Sequence, residues 1–220
     1  MRPKLTEEGV LEGARFIASP NFDERPAACG IELLVVHYIS LPPGSFGGPA
    51  IEEFFTNRLD PRAHPFFATI ANLKASAHFL VRRSGAVIQF VPCAKRAWHA
   101  GESTWRGKPR CNNFSIGIEV EGDEKKPFTA AQYRRLAALT RVLMARYPIS
   151  EVVGHSDIAP SRKTDPGPQF DWARYRAMLG MNGRAVRRAG IGQRRRDALA
   201  GKTSALAARP RLRRRTPKRR

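Results

Sequence analysis

Charge is distributed unevenly along this chain, and this constrains its fold more than any other feature of the sequence. Residues 181–220 contain 15 of the 39 Lys and Arg residues but only one acidic residue, Asp197, so they carry +14 of the net charge of +20. This segment has almost no bulky apolar residues, and it cannot bury enough surface to offset the entropy lost on ordering. We therefore predict a folded domain over residues 1–180 and a disordered basic tail over residues 181–220.

The remaining sequence excludes several classes of protein. Residues 1–180 carry a mild net charge of +6, and hydrophobic residues make up 42% of the whole chain, as in a globular domain. No stretch is apolar over the roughly 18 residues that a membrane helix needs, and residues 1–30 lack the apolar core of a signal peptide. Cys29, Cys93 and Cys111 match neither a disulfide framework nor a zinc knuckle. We expect a monomer in a reducing cytoplasm, without membrane contact.

Several segments of residues 1–180 have the patterns of β-strands. Residues 33–36 form a continuous apolar run rich in β-branched residues, which predicts a buried strand, and residues 151–154 predict another. Residues 79–83 and 86–91 flank a Ser-Gly pair, which is typical of a β-hairpin. A hairpin requires antiparallel pairing within the sheet.

The clearest helix begins with a capping box, in which Thr129 is the N-cap residue and Gln132 lies three residues later, and Pro148 ends it. Helices are predicted over residues 129–146, 172–179 and 50–56. The rest of residues 41–74 is rich in Pro and Gly and poor in regular structure. Together the elements predict an α/β domain with a mixed sheet flanked by helices.

Residues 115–121 alternate with a period of two, as expected of a strand. Gly117, Glu119 and Glu121 share its polar face. Either glutamate fits a general acid or base, and either fits a solvated carboxylate at a strand edge. The pattern by itself does not choose between them.

Two histidines and one aspartate lie where a ligand site is expected. His37 follows the strand at 33–36 and His155 follows the strand at 151–154, and strand ends of open α/β sheets commonly bind ligands. Asp165 lies in a Pro-rich turn. Two imidazoles and a carboxylate would make three ligands of a tetrahedral zinc ion, although each residue also fits an ordinary structural role. The other histidines could equally supply ligands: His64, His78 and His99.

Six short motifs occur in a fixed order along the chain. They are LLVVH at 33–37, SLPPG at 40–44, SAH at 76–78, AWHAG at 97–101, CNNFSIGIE at 111–119 and GHSDIAPSRKTDPGP at 154–168. Together they resemble the AmpD-type 1,6-anhydro-N-acetylmuramyl-L-alanine amidases of the zinc-dependent type 2 amidase and peptidoglycan-recognition superfamily. The resemblance covers roughly residues 5–180 and does not include the tail.

The resemblance implies roles for individual residues. It implies that Zn²⁺ is bound by His37, His155 and Asp165. It implies that Glu119 is the catalytic acid/base residue. It also implies that Lys163, near the metal, is catalytic and supplies a fixed positive charge for the oxyanion. Residues implied in substrate binding are Arg110, Trp98, His99 and Lys74, the last at a position where relatives have arginine. Tyr38 is also a candidate for substrate binding, although it departs from the pattern. Relatives have asparagine directly after the first zinc histidine, so a polar contact from this position is left open.

The reaction implied is hydrolysis of the amide bond between the lactyl group of 1,6-anhydro-N-acetylmuramic acid and L-alanine. A cytoplasmic enzyme of this type would act on recycled, soluble anhydromuropeptides rather than on the intact wall. One alternative is a metal-free muropeptide sensor, which the presence of all three ligand residues disfavours. Another is nonspecific binding of nucleic acid or other polyanions by the tail. We expect this only as an accessory property, because the tail has no aromatic residues for stacking on bases.

Overall fold

The computed structural model describes residues 4–180, and the predicted tail at 181–220 lies outside the described residues. The strands are β1 Arg15–Phe16, β2 Phe22–Asp23, β3 Leu33–Ile39, β4 Phe79–Val81, β5 Val87–Gln89, β6 Arg96–Ala97, β7 Thr104–Trp105, β8 Lys108–Pro109, β9 Ser115–Glu121 and β10 Glu151–Gly154. The helices are α1 Ala50–Phe55, α2 Pro65–Ile70, α3 Ala130–Arg146, α4 His155–Ile158 and α5 Trp172–Leu179, with a 3-10 helix at Cys111–Asn113. Among the residues described, no helix is long and apolar enough to cross a membrane.

Six strands form the main sheet, in the order β1-β5-β4-β9-β3-β10. β4 and β5 pair antiparallel, as predicted for the hairpin, whereas β9 pairs parallel with both β4 and β3. β10 also runs parallel to β3. The sheet is therefore mixed and flanked by helices, which confirms the predicted α/β class.

One face of the sheet packs against α3 and α5. The capping box of α3 is present, because the Thr129 side chain accepts from the Gln132 N–H and the Gln132 side chain accepts from the Thr129 N–H. Alternate residues of β3 and β9 pack against the apolar side of α3, among them Leu34, Val36, Ile116 and Ile118. This layer leaves the intervening residues of β3 and β9 on the opposite face of the sheet.

That opposite face carries two smaller apolar clusters. One surrounds α1 and includes Leu80 of β4, and the other includes Leu33 and Val35 of β3 together with Val153 of β10. His37 lies on this same face, because it is two residues after Val35. β3 extends through His37 to Ile39, so His37 lies within the sheet and not after its end, as the shorter predicted strand implied.

Residues 41–74 contain more regular structure than the prediction allowed. The predicted helix at 50–56 is confirmed as α1, whereas α2 was not predicted. α2 begins at Pro65, and its N-cap residue His64 accepts a hydrogen bond from the Phe66 N–H through Nδ1. A helix of six residues is too short to show a helical period in the sequence.

Candidate active site

Two histidines and one aspartate from different segments meet on the open face of the sheet. His37 comes from β3, His155 is the first residue of α4 directly after β10, and Asp165 lies in the loop that follows. His37 Nδ1 lies 3.0 Å from both His155 Nδ1 and Asp165 Oδ2, and His155 Nδ1 lies 3.1 Å from Asp165 Oδ2. These three buried residues are called the ligand cluster below.

The surroundings determine the protonation of the ligand cluster. Burial lowers the pKa of His37 to about 4, although the neighbouring Asp165 carboxylate acts in the opposite direction. Burial alone would raise the pKa of Asp165, but the two imidazoles beside it outweigh this effect and hold that pKa well below its usual range. At neutral pH the cluster therefore offers a neutral His37 imidazole and an ionised carboxylate.

The tautomer of His155 follows from its outer contact. Its Nε2 lies 3.1 Å from the backbone carbonyl oxygen of Ala100, which can only accept a hydrogen bond. Nε2 therefore carries the proton, and Nδ1 presents a lone pair to the ligand cluster. The same carbonyl oxygen accepts from the Arg162 guanidinium at 2.7 Å, which helps to keep it in place.

The ligand cluster fits a zinc ion. Imidazole nitrogens and carboxylate oxygens are ordinary zinc ligands, and bonds of about 2.0–2.1 Å place tetrahedral ligand atoms roughly 3.4 Å apart. The observed separations of 3.0–3.1 Å are close to that value. Three protein ligands would leave a fourth position open, as in catalytic rather than structural zinc sites.

Glu119 of β9 stands next to His37 of β3, because the two residues are paired in register and point to the same face. Glu119 is 9% exposed, and its Oε2 has no hydrogen-bond partner among the described residues. Burial, followed by the nearby Asp165 carboxylate, raises the pKa of Glu119 well above its usual range, while Lys163 acts in the opposite direction. A buried carboxyl group with one unpartnered oxygen beside such a cluster is suited to proton transfer.

Glu121, two residues further along β9, has a different environment. Its Oε1 accepts from the Arg82 guanidinium and from the Gly47 N–H, and its Oε2 accepts from the Arg83 N–H. The residue is 1% exposed, so this carboxylate belongs to a buried structural ion pair. Neither glutamate is the solvated carboxylate that the alternation of residues 115–121 also allowed.

Residues 27–168, which contain the ligand cluster and Glu119, match the N-acetylmuramoyl-L-alanine amidase family. The chain belongs to this family. It is 58% identical over 177 residues to the 1,6-anhydro-N-acetylmuramyl-L-alanine amidase AmpD of Escherichia coli K12, covering 80% of this chain and 97% of that protein. The predicted family resemblance is thus confirmed.

Two solved structures support the same assignment. A selenomethionine AmpD derivative matches this amidase with a TM-score of 0.77 and 57% identity, over 80% of this chain and 99% of that chain. The E. coli amidase AmiD, solved with the substrate anhydro-N-acetylmuramic acid-L-Ala-D-gamma-Glu-L-Lys, matches with a TM-score of 0.52 and 32% identity, over 90% of this chain and 72% of that chain. The fold of this amidase is therefore that of AmpD and AmiD.

Tyr38 of this amidase points away from the ligand cluster. Burial raises the pKa of Tyr38, and the neighbouring Thr164 and Glu124 side chains also affect it. Thr164 donates a hydrogen bond to Glu124 at 2.6 Å. The Tyr38 ring lies against Gly167, where a Cβ would come within 3.3 Å of the tyrosine. Tyr38 therefore packs β3 against the loop that carries Asp165, and a contact between this position and substrate stays a prediction.

The other predicted contacts lie in different surroundings. His99 is buried, with Nδ1 3.0 Å from His37 Nε2, and Trp98 is half-buried. Lys74 and Arg110 are exposed, and within residues 4–180 no hydrogen bond or ion pair joins their side chains to the ligand cluster. Lys163 is half-buried, and its charge affects both Glu119 and the ligand cluster.

The two remaining histidines are kept apart from the ligand cluster. His64 is exposed at the start of α2. His78 is buried, its Nδ1 accepting from the Gly117 N–H and its Nε2 lying 3.1 Å from the Lys95 carbonyl oxygen. Burial, and then the charge of Arg25, lowers the pKa of His78 to about 3. Both histidines have structural contacts of their own.

Sequence reasoning missed three groups that support this site: Ser115, Gly117 and the Ala100 carbonyl. A Cβ on Gly117 would lie 2.3 Å from His99 Cγ, so only glycine leaves room for that imidazole. A glycine inside a strand indicates a close approach, and this signal was available in the alternation of residues 115–121. The carbonyl has no sequence signal, because every residue carries one.

Proposed function

We propose that this amidase uses zinc to hydrolyse the amide bond between the lactyl group of 1,6-anhydro-N-acetylmuramic acid and L-alanine in soluble, recycled muropeptides. The observation that carries the proposal is the position of the unpartnered Glu119 oxygen beside the ligand cluster. The name of the AmpD relative and the substrate bound to AmiD support the choice of amide. One water is consumed: its hydroxyl joins the carbonyl carbon, and the nitrogen leaves as the α-amine of L-alanine.

In this mechanism His37, His155 and Asp165 hold the metal. Zinc, when bound, supplies Lewis acidity that activates water and polarises a carbonyl group. Glu119 accepts a proton from the attacking water and delivers it to the leaving nitrogen. The raised pKa of Glu119 favours proton uptake from water, because burial makes this carboxylate a stronger base than an exposed glutamate.

The positive residues of the site complement the charge that develops. Lys163 provides a fixed positive charge near the carbonyl oxygen as that oxygen becomes negative. Lys74 and Arg110 are exposed cations that can pair with carboxylates of the stem peptide, and Trp98 offers an apolar surface. His99 and Tyr38, by contrast, act through the residues that they hold in place.

The test is incubation of the zinc-loaded protein with anhydromuramyl-tripeptide, followed by mass spectrometry. We expect release of the free tripeptide. Glu119→Gln keeps the shape of the side chain but cannot accept the proton, so it should release peptide at least about a hundredfold more slowly. If the zinc-loaded protein binds the intact substrate without releasing peptide, the hydrolase is excluded and muropeptide sensing is supported.

A second, accessory activity is favoured by a separate observation. α3 and α5 contain no acidic residue, and no arginine of these helices is ion-paired with a carboxylate within residues 4–180. Arginines elsewhere in the domain do pair in this way, among them Arg15, Arg82, Arg96 and Arg106. The unpaired arginines are Arg134, Arg135, Arg141, Arg146, Arg174 and Arg176.

These helices lie on the face of the sheet opposite to the candidate site, and the basic sequence at 181–220 follows directly after α5. We propose that the basic sequence at 181–220 and, independently of it, the exposed arginines of α3 and α5 bind nucleic acid or other polyanions nonspecifically, through the release of counterions. Truncation after Gly180, with binding measured as a function of salt, separates the two contributions.

We also propose that the protein is a cytoplasmic monomer. Its three cysteines are unpaired, and Cys93 and Cys111 are buried as thiols, as expected in a reducing compartment. A soluble recycled substrate would be encountered in the same compartment. Cell fractionation tests the cytoplasmic location, and light scattering of the purified protein tests the monomeric state.

A further inference from the structure

A chain of hydrogen bonds connects the ligand His37 to a backbone carbonyl on the far side of the site. Ser115 Oγ lies 2.6 Å from the Cys111 carbonyl oxygen, and His99 Nε2 lies 3.1 Å from Ser115 Oγ. His99 Nδ1 then lies 3.0 Å from His37 Nε2. Ser115 is fully buried and His99 is 9% exposed, so protein groups surround the connection between the carbonyl and His37.

The directions of these hydrogen bonds follow from the atoms involved. Two oxygens 2.6 Å apart must share a proton, and only Ser115 has one to give, so its hydroxyl donates to the Cys111 carbonyl. Ser115 Oγ must then accept from His99, which places the proton of that imidazole on Nε2. His99 Nδ1 is consequently an acceptor, and the proton of His37 lies on Nε2.

This assignment has a direct consequence for the ligand cluster. With its proton on Nε2, His37 presents the Nδ1 lone pair towards His155 and Asp165. His155 presents its own Nδ1 lone pair, because Nε2 donates to the Ala100 carbonyl. The three atoms lie within 3.1 Å of one another, so the ligand cluster directs three acceptor atoms at one point where a cation can bind.

The strand β9 holds this arrangement in place. Ser115 and Gly117 lie on one face of β9, and the backbone of Gly117 forms the surface against which the His99 imidazole packs. The Asn112 side chain accepts from the N–H groups of His99 and Ala100, which fixes the loop carrying both. His99 and the Ala100 carbonyl, which set the tautomers of His37 and His155, therefore lie on one loop that Asn112 holds in place.

We propose that Ser115 and His99 are positioning residues that fix His37 in its Nε2-protonated tautomer, so that His37 Nδ1 is ready to bind the metal. The opposite tautomer would direct a proton at Asp165 and occupy the lone pair that a metal requires. This inference rests on the proposed zinc site. Groups that orient metal-binding histidines in this way typically change metal affinity by about 10–100-fold when they are removed.

The first experiment measures the tautomer directly in the full-length, metal-free protein. Long-range ¹H–¹⁵N NMR of ¹⁵N-histidine-labelled protein at pH 7.5 separates protonated from unprotonated ring nitrogens. We expect His37 and His99 to be protonated at Nε2 and unprotonated at Nδ1. A proton on His37 Nδ1 would overturn the inference, whatever the zinc affinity of the protein.

The second experiment compares two replacements of His99 by competition against a zinc chelator. His99→Asn places an amide oxygen near the position of Nδ1 and should retain zinc affinity within a few-fold, whereas His99→Phe fills the space without an acceptor and should lose about 10–100-fold. Ser115→Ala should weaken zinc binding in the same direction and mix the His37 tautomers. His64→Asn, at the exposed N-cap of α2, is the matched control and should have no effect.

Equal zinc affinity in His99→Phe and wild type would overturn the positioning role. Absence of zinc binding by the wild-type protein would instead contradict the proposed function. The ¹⁵N chemical shifts of the histidine rings in the metal-free protein would still determine the tautomer of His37. The two failures are therefore distinguishable.

Discussion

His37 and Glu119 occupy paired positions on the adjacent parallel strands β3 and β9. The separation between the proposed metal ligand and the proposed proton carrier is therefore set by the hydrogen bonds of a central sheet, and not by a loop. The apolar side chains of the two strands are buried against α3, and this packing holds the strands in place. They are Leu34, Val36, Ile116 and Ile118. Such rigid placement keeps reacting groups within the small tolerance that catalysis needs.

Glu119→Gln should separate catalysis from folding. The substitution removes the proton acceptor but leaves the side-chain volume unchanged, so kcat should fall by about 10²–10⁴. Zinc content and melting temperature should stay close to wild type, because Glu119 Oε2 has no partner to lose within residues 4–180. Steady-state kinetics and atomic absorption give the two readouts, and near-native turnover would contradict the assignment.

Glu121→Gln is the matched variant and should behave in the opposite way. It breaks a buried ion pair with Arg82, so the free energy of unfolding should fall by about 3 kcal/mol. Turnover per folded molecule should change little, because the Glu121 carboxylate bonds Gly47, Arg82 and Arg83 and makes no hydrogen bond to the ligand cluster. Urea unfolding together with kinetics measures both effects.

Asp165→Ala should remove zinc and activity together. Asp165 is the only carboxylate of the ligand cluster, and without it the cluster has two imidazole ligands and no negative charge. Atomic absorption of the purified variant should show less than stoichiometric zinc, and added zinc should no longer raise the melting temperature. Stoichiometric zinc in this variant would mean that another group completes the site, and Glu119 would be examined first.

Gly117→Ala should damage the site without touching a ligand. The added methyl would lie 2.3 Å from His99 Cγ, so the imidazole must move or β9 must shift. We expect a loss of about 1–3 kcal/mol of stability from overpacking, together with weaker zinc binding. Gly30→Ala is the control, because a Cβ there would meet only Glu32 Cγ, at 4.0 Å. Equal zinc affinity in Gly117→Ala and wild type would show that the position of the His99 imidazole does not affect zinc binding.

Acid should destabilise the metal-free protein through its buried histidines. The pKa of His78 is about 3 in the folded state against 6.5 in the unfolded chain, so between these values only the unfolded chain binds the proton. Stability conferred by neutral His78 is therefore present above pH 6.5 and declines as the pH falls towards 3, by about 1.4 kcal/mol per pH unit. Urea unfolding with a chelator from pH 7.5 to 5 should show a shallower slope for His78→Asn than for wild type. Identical slopes would contradict the prediction.

Truncation after Gly180 should leave the amidase intact. The sequence at 181–220 carries +14 and cannot contribute a core, so zinc content, melting temperature and turnover should be nearly unchanged. Full-length protein should bind nucleic acid with an affinity that falls steeply with salt, and the truncated protein should lose most of that binding. Loss of turnover on truncation, at low and moderate salt alike, would show that the tail is part of the enzyme.

Local features of this protein were readable from the sequence because they depend on neighbouring residues. The capping box of Thr129 and Gln132 and the alternation of residues 115–121 are short-range signals, and α3 and β9 follow them closely. The collinear motifs that carry the ligand residues also indicated the amidase family without any coordinates. α2 was missed because six residues show no period, and the end of β3 was misplaced because the pairing with β9 decides where that strand stops.

Only the tertiary structure determines the partners, and therefore the chemical role, of each polar residue in the site. Glu119 and Glu121 are equivalent in the alternating pattern, yet one pairs with Arg82 and the other keeps an unpartnered oxygen beside His37. His99 was predicted as a substrate contact, and the fold places it against His37 through contacts between residues 62 positions apart. Protonation, tautomer and ion pairing depend on burial and on partners distant in the chain, and these exist only once the strands have paired.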